Sequence, residues 1–435
     1  MQLFSTNHSS ADVGLEEAVF RGLPPDNGLY MPYKIKKLSD AFFDNIQNLS
    51  LNEIAFEVCN SLFEGELSTE EIKIIVDRAI TFDAPLVPTE KNNYVLELFH
   101  GPSMAFKDFG ARFMASLMGY YLEKSNKKIK ILVATSGDTG GAVAQGFYNT
   151  PNIEVIILYP SGKVSAIQEQ QLTTLGGNIT ALEVSGSFDD CQALVKAAFL
   201  DEDLSQKFNL ASANSINISR LIPQSFYYFY AYSQLKKLGN TLQIVFSVPS
   251  GNFGNLSAGL IAYQMGLPVH QFIAATNSND VVPRYLLSGN YEPIKSKETI
   301  SNAMDVGNPS NFVRMQLLAG EKWETVANVV KGYPFSDDST RTKINEVYQK
   351  SAYIMCPHTA VAQLGADKYK NEVDENVATV VLSTAHYAKF LPVMEPVLGF
   401  EPTIPERLSD LLSKKKVATN ISANFGDFKN LLMNL

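Results

Sequence analysis

From residue 90 onward, short β-rich runs alternate with helical stretches, and this alternation restricts the fold more than any other feature of the chain. Residues 129–135 read as a strand that ends in a Gly-rich turn and passes into a helix from about residue 139. Residues 153–159 and 179–184 read as strands followed by helices near 165–175 and 189–200. A strand at 242–248 leads through a second Gly loop into a helix that runs through Met265, and 269–275 and 377–382 are further strands. Strands separated by helices require crossover connections. The expected fold is therefore α/β, a parallel sheet with helices on both faces.

The first 85 residues read differently. Helical periodicity runs through 41–58 and 68–80, a short amphipathic turn occupies 15–20, and 83–88 reads as an extended linker. This predicts a small, mostly helical domain over 1–85 ahead of an α/β region over 86–435. A chain of 435 residues is long enough for a two-lobed enzyme with a substantial core. Its formal charge of −9, with no basic arm, argues against nucleic acid and anionic membranes as partners. The three cysteines are odd in number and lack C-x-x-C spacing, so neither a disulfide framework nor a zinc ribbon is expected, and a reducing cytoplasm fits. No signal peptide and no membrane-spanning run are expected.

Lys107 stands in Glu97-Leu98-Phe99-His100-Gly101-Pro102-Ser103-Met104-Ala105-Phe106-Lys107-Asp108-Phe109-Gly110, just ahead of a run that reads as a helix. A lysine held against apolar neighbours loses hydration. Its charged form is disfavoured, and its amine becomes a nucleophile or base near neutral pH. That is the requirement for a Schiff-base lysine. A lone lysine among aromatics more often buries its stem and keeps the ammonium wet, so the weight rests on what accompanies it.

Four further segments accompany it. Gly251-Asn252-Phe253-Gly254-Asn255 follows a strand and opens a helix, a plain β-α turn or a cradle of N–H groups for an anion such as a phosphate. It is neither a dinucleotide fingerprint nor a P-loop. Ser136-Gly137-Asp138-Thr139 is a second strand–loop–helix junction, able to cap its helix or to hold a carboxylate or phosphate. Asn214, Ser215 and Arg220 lie within seven residues ahead of an aromatic helix, either as a cap with a solvated arginine or as an anion clamp. Ser383 and Thr384 end the apolar strand at 377–382, where ligands of open α/β sheets bind. His386 follows them without an evident carboxylate partner, and the histidines form no metal site of recognisable spacing.

Together these segments resemble the threonine synthase family, pyridoxal-phosphate enzymes of the tryptophan-synthase-β-like, fold type II superfamily. The lysine motif at 97–110, the loops at 136–140 and 251–255, Ala303-Met304-Asp305-Val306-Gly307-Asn308-Pro309-Ser310-Asn311, and the segment at 384–390 carry the resemblance, along with the N-terminal stretch at 17–30. Asn27 stands where the family usually has a second glycine, and Tyr387 where it usually has a proline.

The resemblance implies two parallel-type α/β lobes around a central cofactor cleft, with a smaller lobe nested near 111–215. It implies pyridoxal 5′-phosphate as cofactor, attached to Lys107, which then serves as acid and base. Gly251, Asn252, Phe253, Gly254 and Asn255 would cradle the cofactor phosphate. Ser383 and Thr384 would face the pyridine nitrogen, a neutral contact that predicts a largely unprotonated ring. Ser136, Gly137, Asp138 and Thr139 would bind the substrate α-carboxylate, with Asp138 also near the cofactor's phenolic oxygen. Asn214, Ser215 and Arg220 would bind the substrate phosphate. The implied reaction turns O-phospho-L-homoserine and water into L-threonine and phosphate, by γ-elimination and β-addition of water, in a cytoplasmic monomer or small homo-oligomer. The alternatives are a serine or threonine dehydratase-like lyase of the same fold and a non-catalytic cofactor-binding homologue. The 214–220 segment and the long N-terminal region favour the phosphorylated substrate, and the intact Lys107 disfavours the non-catalytic reading.

Overall fold

The computed structural model describes residues 1–125 and 127–435. In chain order its strands are β1 (Leu3–Ser5), β2 (Tyr30–Pro32), β3 (Leu86–Glu90), β4 (Asn93–Glu97), β5 (Ile129–Ala134), β6 (Ile153–Pro160), β7 (Ile179–Ser185), β8 (Leu210–Ser212), β9 (Gln243–Pro249), β10 (Gln271–Thr276), β11 (Val330–Pro334), β12 (Val377–Ser383) and β13 (Thr419–Ser422). Two parallel-type sheets dominate. The larger has the order β11-β10-β9-β12-β4-β3 and the smaller β13-β7-β6-β5-β8. Strands β5, β6 and β12 are buried almost throughout, as expected of parallel strands covered on both faces.

The strand orders decide where ligands bind. In the larger sheet the chain runs from β9 outward to β10 and β11, whereas β12 and β4 lie on the other side of β9. In the smaller sheet it runs from β5 outward to β6 and β7, whereas β8 lies on the other side of β5. Each reversal is a topological switch point, and crevices open beyond the carboxyl ends of strands there. The turns at 250–254 and 383–384 leave β9 and β12 at the first. The turns at 135–138 and 213–217 leave β5 and β8 at the second.

Two sequence expectations are corrected, and two strand pairings are added to them. The linker at 83–88 is half strand: β3 pairs antiparallel with β4 at the sheet edge, where Pro88 removes no needed ladder bond. The single helical stretch at 41–58 divides into α2 (Asp40–Asn45), a 3-10 turn and α3 (Leu51–Leu62), because Ser50 and Glu53 form a capping box that starts a new helix. The mostly helical N-terminal segment also carries the antiparallel β1–β2 pair. The smaller sheet recruits β13 from the C-terminal tail alongside β7, a pairing with no local sequence signal.

The N-terminal helices share one continuous core with the catalytic region. Phe63, just after α3, packs on Phe113, and Phe42 of α2 packs edge-on against Phe229. The first helix, α1 (Leu15–Arg21), is tied to the catalytic region by Asn217, whose amide donates to the Val19 carbonyl at 2.8 Å. No described helix is long and apolar enough to cross a membrane.

Candidate active site

Lys107 is the first residue of α5 (Lys107–Ser125), the helix that follows β4 and α4 (Thr69–Ala79) in the chain. The loop before it is held in an uncommon shape. Met104 takes a positive φ of 56°, and Ala105 bridges to Ala385 just beyond β12. Phe106 donates its N–H to the Thr384 carbonyl at 2.8 Å, fixing the lysine to the carboxyl end of β12. Lys107 keeps partial exposure to the cleft. Burial lowers its pKa to about 8; Asp138 opposes this shift, whereas the neighbouring Arg220 and Lys389 add to it. Its neighbour Asp108 is buried, accepts from the Ser103 N–H at 2.9 Å, and is pushed up by desolvation to about 6.

At the other switch point, β5 gives way to α6 (Asp138–Phe147). Thr135 Oγ1 accepts the N–H groups of Gly137 and Gly140 at 3.0 and 2.8 Å, so these two donors serve the turn itself. The N–H groups of Asp138 and Thr139, in the first turn of α6, have no partner within the helix and remain for an anion. Gly137 takes φ 137°, and a Cβ there would meet the Gln168 amide at 2.6 Å. The Ser136 side chain is exposed. Asp138 is buried and accepts from Lys389 Nζ at 2.7 Å and from Gln168 Nε2 at 2.9 Å. Burial alone would raise its pKa, but the ammonium groups of Lys389 and Lys107 outweigh it and hold the carboxyl well below the usual range.

The chain then passes through α7 (Ala166–Thr173), α8 (Phe188–Leu200) and α9 (Glu202–Lys207) to β8, and α10 (Ile218–Leu221) carries Arg220. Arg220 is buried; Nη1 donates to the Ala213 carbonyl and Nε has no partner. Burial lowers its pKa to about 10, with Asp108 opposing the shift. Among the described residues no carboxylate lies within ion-pair distance of it. Ser215 Oγ accepts from Asn252 Nδ2 at 2.7 Å, which joins the 214–220 segment to the 251–255 turn.

That turn begins α12 (Gly254–Gln264), which follows the aromatic helix α11 (Phe226–Lys237) and β9. Phe253, with φ 61°, lets the backbone reverse directly into the helix. The Asn255 side chain lies inward: Oδ1 accepts from the hydroxyls of Tyr227 and Tyr228 at 2.7 and 2.8 Å, and Nδ2 is buried without a partner. Asn252 is pinned by Ser310 and Asn311, and Asn311 in turn accepts from the buried Arg314 at 3.0 Å.

Gly251 sits directly against the backbone of another segment, since a Cβ there would lie 2.6 Å from Met304 Cα. The 299–305 segment cannot yield, because Asp305 is tied to Asn277 and Thr299 at 2.8 and 2.7 Å. Gly251→Ala should therefore destabilise the protein by about 1–3 kcal/mol and weaken ligand binding at the turn. Thermal unfolding of the apo and ligand-loaded protein checks this. An unchanged midpoint would show that Met304 moves freely.

At the end of β12 the two hydroxyls differ. Ser383 Oγ is engaged by Thr359 Oγ1 at 3.0 Å, whereas Thr384 Oγ1 has no hydrogen-bond partner among the described residues. A carboxylate lies closer than the sequence suggested: Glu97, register neighbour of Ser383 on β4, accepts from Tyr353 at 2.9 Å and pairs with His100 at 2.7 Å. His386 is structural. Its Nδ1 accepts from the Ala388 N–H, and burial lowers its pKa to about 4. The Tyr387 hydroxyl donates to the Thr403 carbonyl at 3.0 Å, which accommodates the departure at that position.

The structure thus brings Lys107 within electrostatic range of Asp138, Arg220 and Lys389, and joins Ser215 to Asn252. Lys389, Gln168, Glu97 and Arg314 were not singled out from sequence. Lys389 had a faint signal, a lysine six residues after the end of an apolar strand. The others depend on tertiary neighbours alone.

Residues 2–80 match the family model "Threonine synthase N terminus", 83–384 match "Pyridoxal-phosphate dependent enzyme", and 359–431 match "Threonine synthase, C-terminal". The threonine synthase of Haemophilus influenzae is 45% identical over 94% of both chains, and that of Escherichia coli 41% identical over the full length of both. The PLP-bound threonine synthase structure from Brucella melitensis superposes with a TM-score of 0.93, at 33% identity over 100% of this chain and 99% of that one.

Proposed function

This chain belongs to the threonine synthase family of pyridoxal-phosphate-dependent enzymes, and from that premise we propose the following roles for its residues. The reaction converts O-phospho-L-homoserine and water into L-threonine and phosphate. Several observations fit the cofactor: a desolvated lysine in the cleft, a turn at Gly251 too close-packed for any side chain, and the unpartnered Asn255 Nδ2 beneath that turn. Lys107 would hold the cofactor and the 251–255 turn its phosphate, with Thr384 contributing a hydroxyl to the ring nitrogen. When bound, the cofactor supplies an electron sink that makes the substrate's Cα and Cβ protons removable.

The protein's own groups do the rest. With the cofactor bound, Lys107 Nζ would take the Cα proton and later return it. Its pKa of about 8 suits both directions near neutral pH. The N–H groups of Asp138 and Thr139, with the Ser136 hydroxyl, hold the α-carboxylate. Arg220, with Asn214 and Ser215, holds the substrate phosphate and stabilises it as it leaves. The N-terminal segment at 1–85 closes the phosphate side through Asn217 and Val19, and the smaller lobe is the sheet of β5 to β8 with β13. An acidic, cytoplasmic monomer or small homo-oligomer acting on a small molecule fits the charge of −9.

The observation that carries this reading is the placement of the unpaired Arg220 beside the desolvated Lys107. The test is incubation of the purified protein with O-phospho-L-homoserine, with phosphate and threonine assayed together. Equal rates of appearance support the reading; phosphate with a 2-oxo acid and no threonine would sink it in favour of the dehydratase-like lyase.

The hydroxyl assignment gives a further prediction. A lost neutral hydrogen bond is worth about 0.5–1.5 kcal/mol, so Thr384→Ala should weaken cofactor binding by roughly threefold to tenfold. Fluorescence titration of the apoenzyme measures it. No change would move the contact to Ser383, whose hydroxyl would then have to leave Thr359.

A further inference from the structure

We propose that Lys389 is a positioning residue for the 136–140 loop: its ammonium neutralises the buried carboxylate of Asp138 across the cleft, and only then can that loop receive a carboxylate substrate. The inference rests on the reading that this loop holds the α-carboxylate.

The geometry places Lys389 where such a role is required. It lies on the short turn Tyr387–Phe390 that follows β12 of the larger sheet, whereas Asp138 opens α6 on the smaller one. Both side chains are out of water, at 0% and 6% exposure, and 2.7 Å apart. Lys389 Nζ also donates to the Ser103 carbonyl at 3.0 Å, on the loop that carries Lys107. From the smaller lobe, α7 repeats the pattern: Gln168 donates to Asp138 at 2.9 Å, and Gln171 to the Ser103 carbonyl at 2.8 Å. Lys389 and α7 therefore hold the same two acceptors from opposite lobes.

The charge arithmetic makes Lys389 necessary. A loop built to take a carboxylate would be expected to be neutral or positive, yet it contains Asp138. An uncompensated carboxylate there would repel the substrate's own. Lys107 cannot serve as the permanent counter-ion, because its amine is needed uncharged. Gln168 is neutral. Lys389 supplies the charge without offering a reactive amine, since Asp138 and Ser103 occupy it. A buried pair of this kind is weak evidence for stability in itself, but removing one partner leaves a buried charge unpaired.

The test is a double-mutant cycle of Lys389→Met and Asp138→Asn. Three quantities are read for each variant: the dissociation constant of pyridoxal phosphate by fluorescence titration, KM against kcat for O-phospho-L-homoserine, and the thermal midpoint. Lys389→Met should raise KM by about tenfold or more, while cofactor affinity changes less. Adding Asp138→Asn should restore KM to within about threefold of Asp138→Asn alone. If Lys389 only packs, the two Lys389→Met variants will have the same KM, and that result overturns the proposal. So does an unchanged KM in Lys389→Met. If Lys389→Met does not fold, a double variant that folds supports the pairing, and one that also fails overturns it. Failure of the underlying reading is seen separately, as wild-type protein that makes no threonine.

Discussion

Lys107→Ala is expected to give a folded protein that holds no covalently attached cofactor and forms threonine at least about a thousandfold more slowly than wild type, since one group supplies both the attachment and the proton transfers at Cα. Folding should survive, because Lys107 begins α5 and keeps partial exposure, so its loss opens no deep cavity. The same cleft holds one rival amine, Lys389, but that is held by Asp138 at 2.7 Å and by the Ser103 carbonyl. Borohydride reduction followed by peptide mapping separates them: label on Lys107 in wild type and none in the variant is expected, and label on Lys389 would overturn the assignment. The amine must be uncharged to attack a carbonyl. With burial holding its pKa near 8, the rate of cofactor attachment to apoenzyme should rise as pH increases through about 8 and level off above it. An attachment rate still rising past pH 10 would mean that Lys107 is solvated like an ordinary lysine.

Local signals in the sequence carried the parts of this fold that are locally encoded. Strands β5, β6, β7, β9 and β12, and the helices expected after the first four of them, lie within about two residues of the expected bounds, because each strand is a largely apolar run followed by a turn rich in Gly, Ser or Asp. The antiparallel β3 escaped because two prolines disguise it, and β13 because its partner lies more than 230 residues away in the chain. The candidate site divides in the same way. Lys107 and the Gly-containing turns carry their chemistry in contiguous residues. What tunes them does not: Lys389 reaches Asp138 only because the two lobes meet, and Glu97 stands beside Ser383 only because β4 pairs with β12. Strand adjacency and lobe contact are not written in spacing, so partners of this kind stay hidden until the tertiary structure is known.

Arg220→Ala should raise KM for O-phospho-L-homoserine by about tenfold to a hundredfold while leaving cofactor occupancy nearly unchanged. A charge-assisted contact to a phosphate is worth about 1.5–3 kcal/mol, which corresponds to that range. The case rests on an imbalance within the protein. Arg220 is buried, its Nε has no partner among the described residues, and its guanidinium donates to the neutral Ala213 carbonyl. Asp108 is felt only at longer range and is itself pushed towards neutrality, up to about 6. A guanidinium held in that state is costly to bury, and a dianionic substrate supplies what it lacks. The same imbalance predicts that the ligand-free protein loses little stability on substitution, because the removed desolvation cost offsets the lost packing. Thermal unfolding with and without inorganic phosphate therefore reads the effect apart from turnover: phosphate should stabilise wild type and have a smaller effect on Arg220→Ala. A variant that loses pyridoxal phosphate yet binds O-phospho-L-homoserine normally would mean that the two phosphate sites are reversed, with Arg220 serving the cofactor and the 251–255 turn serving the substrate. The Asn252–Ser215 hydrogen bond joins those two sites directly, so the cofactor titration is the measurement that tells them apart.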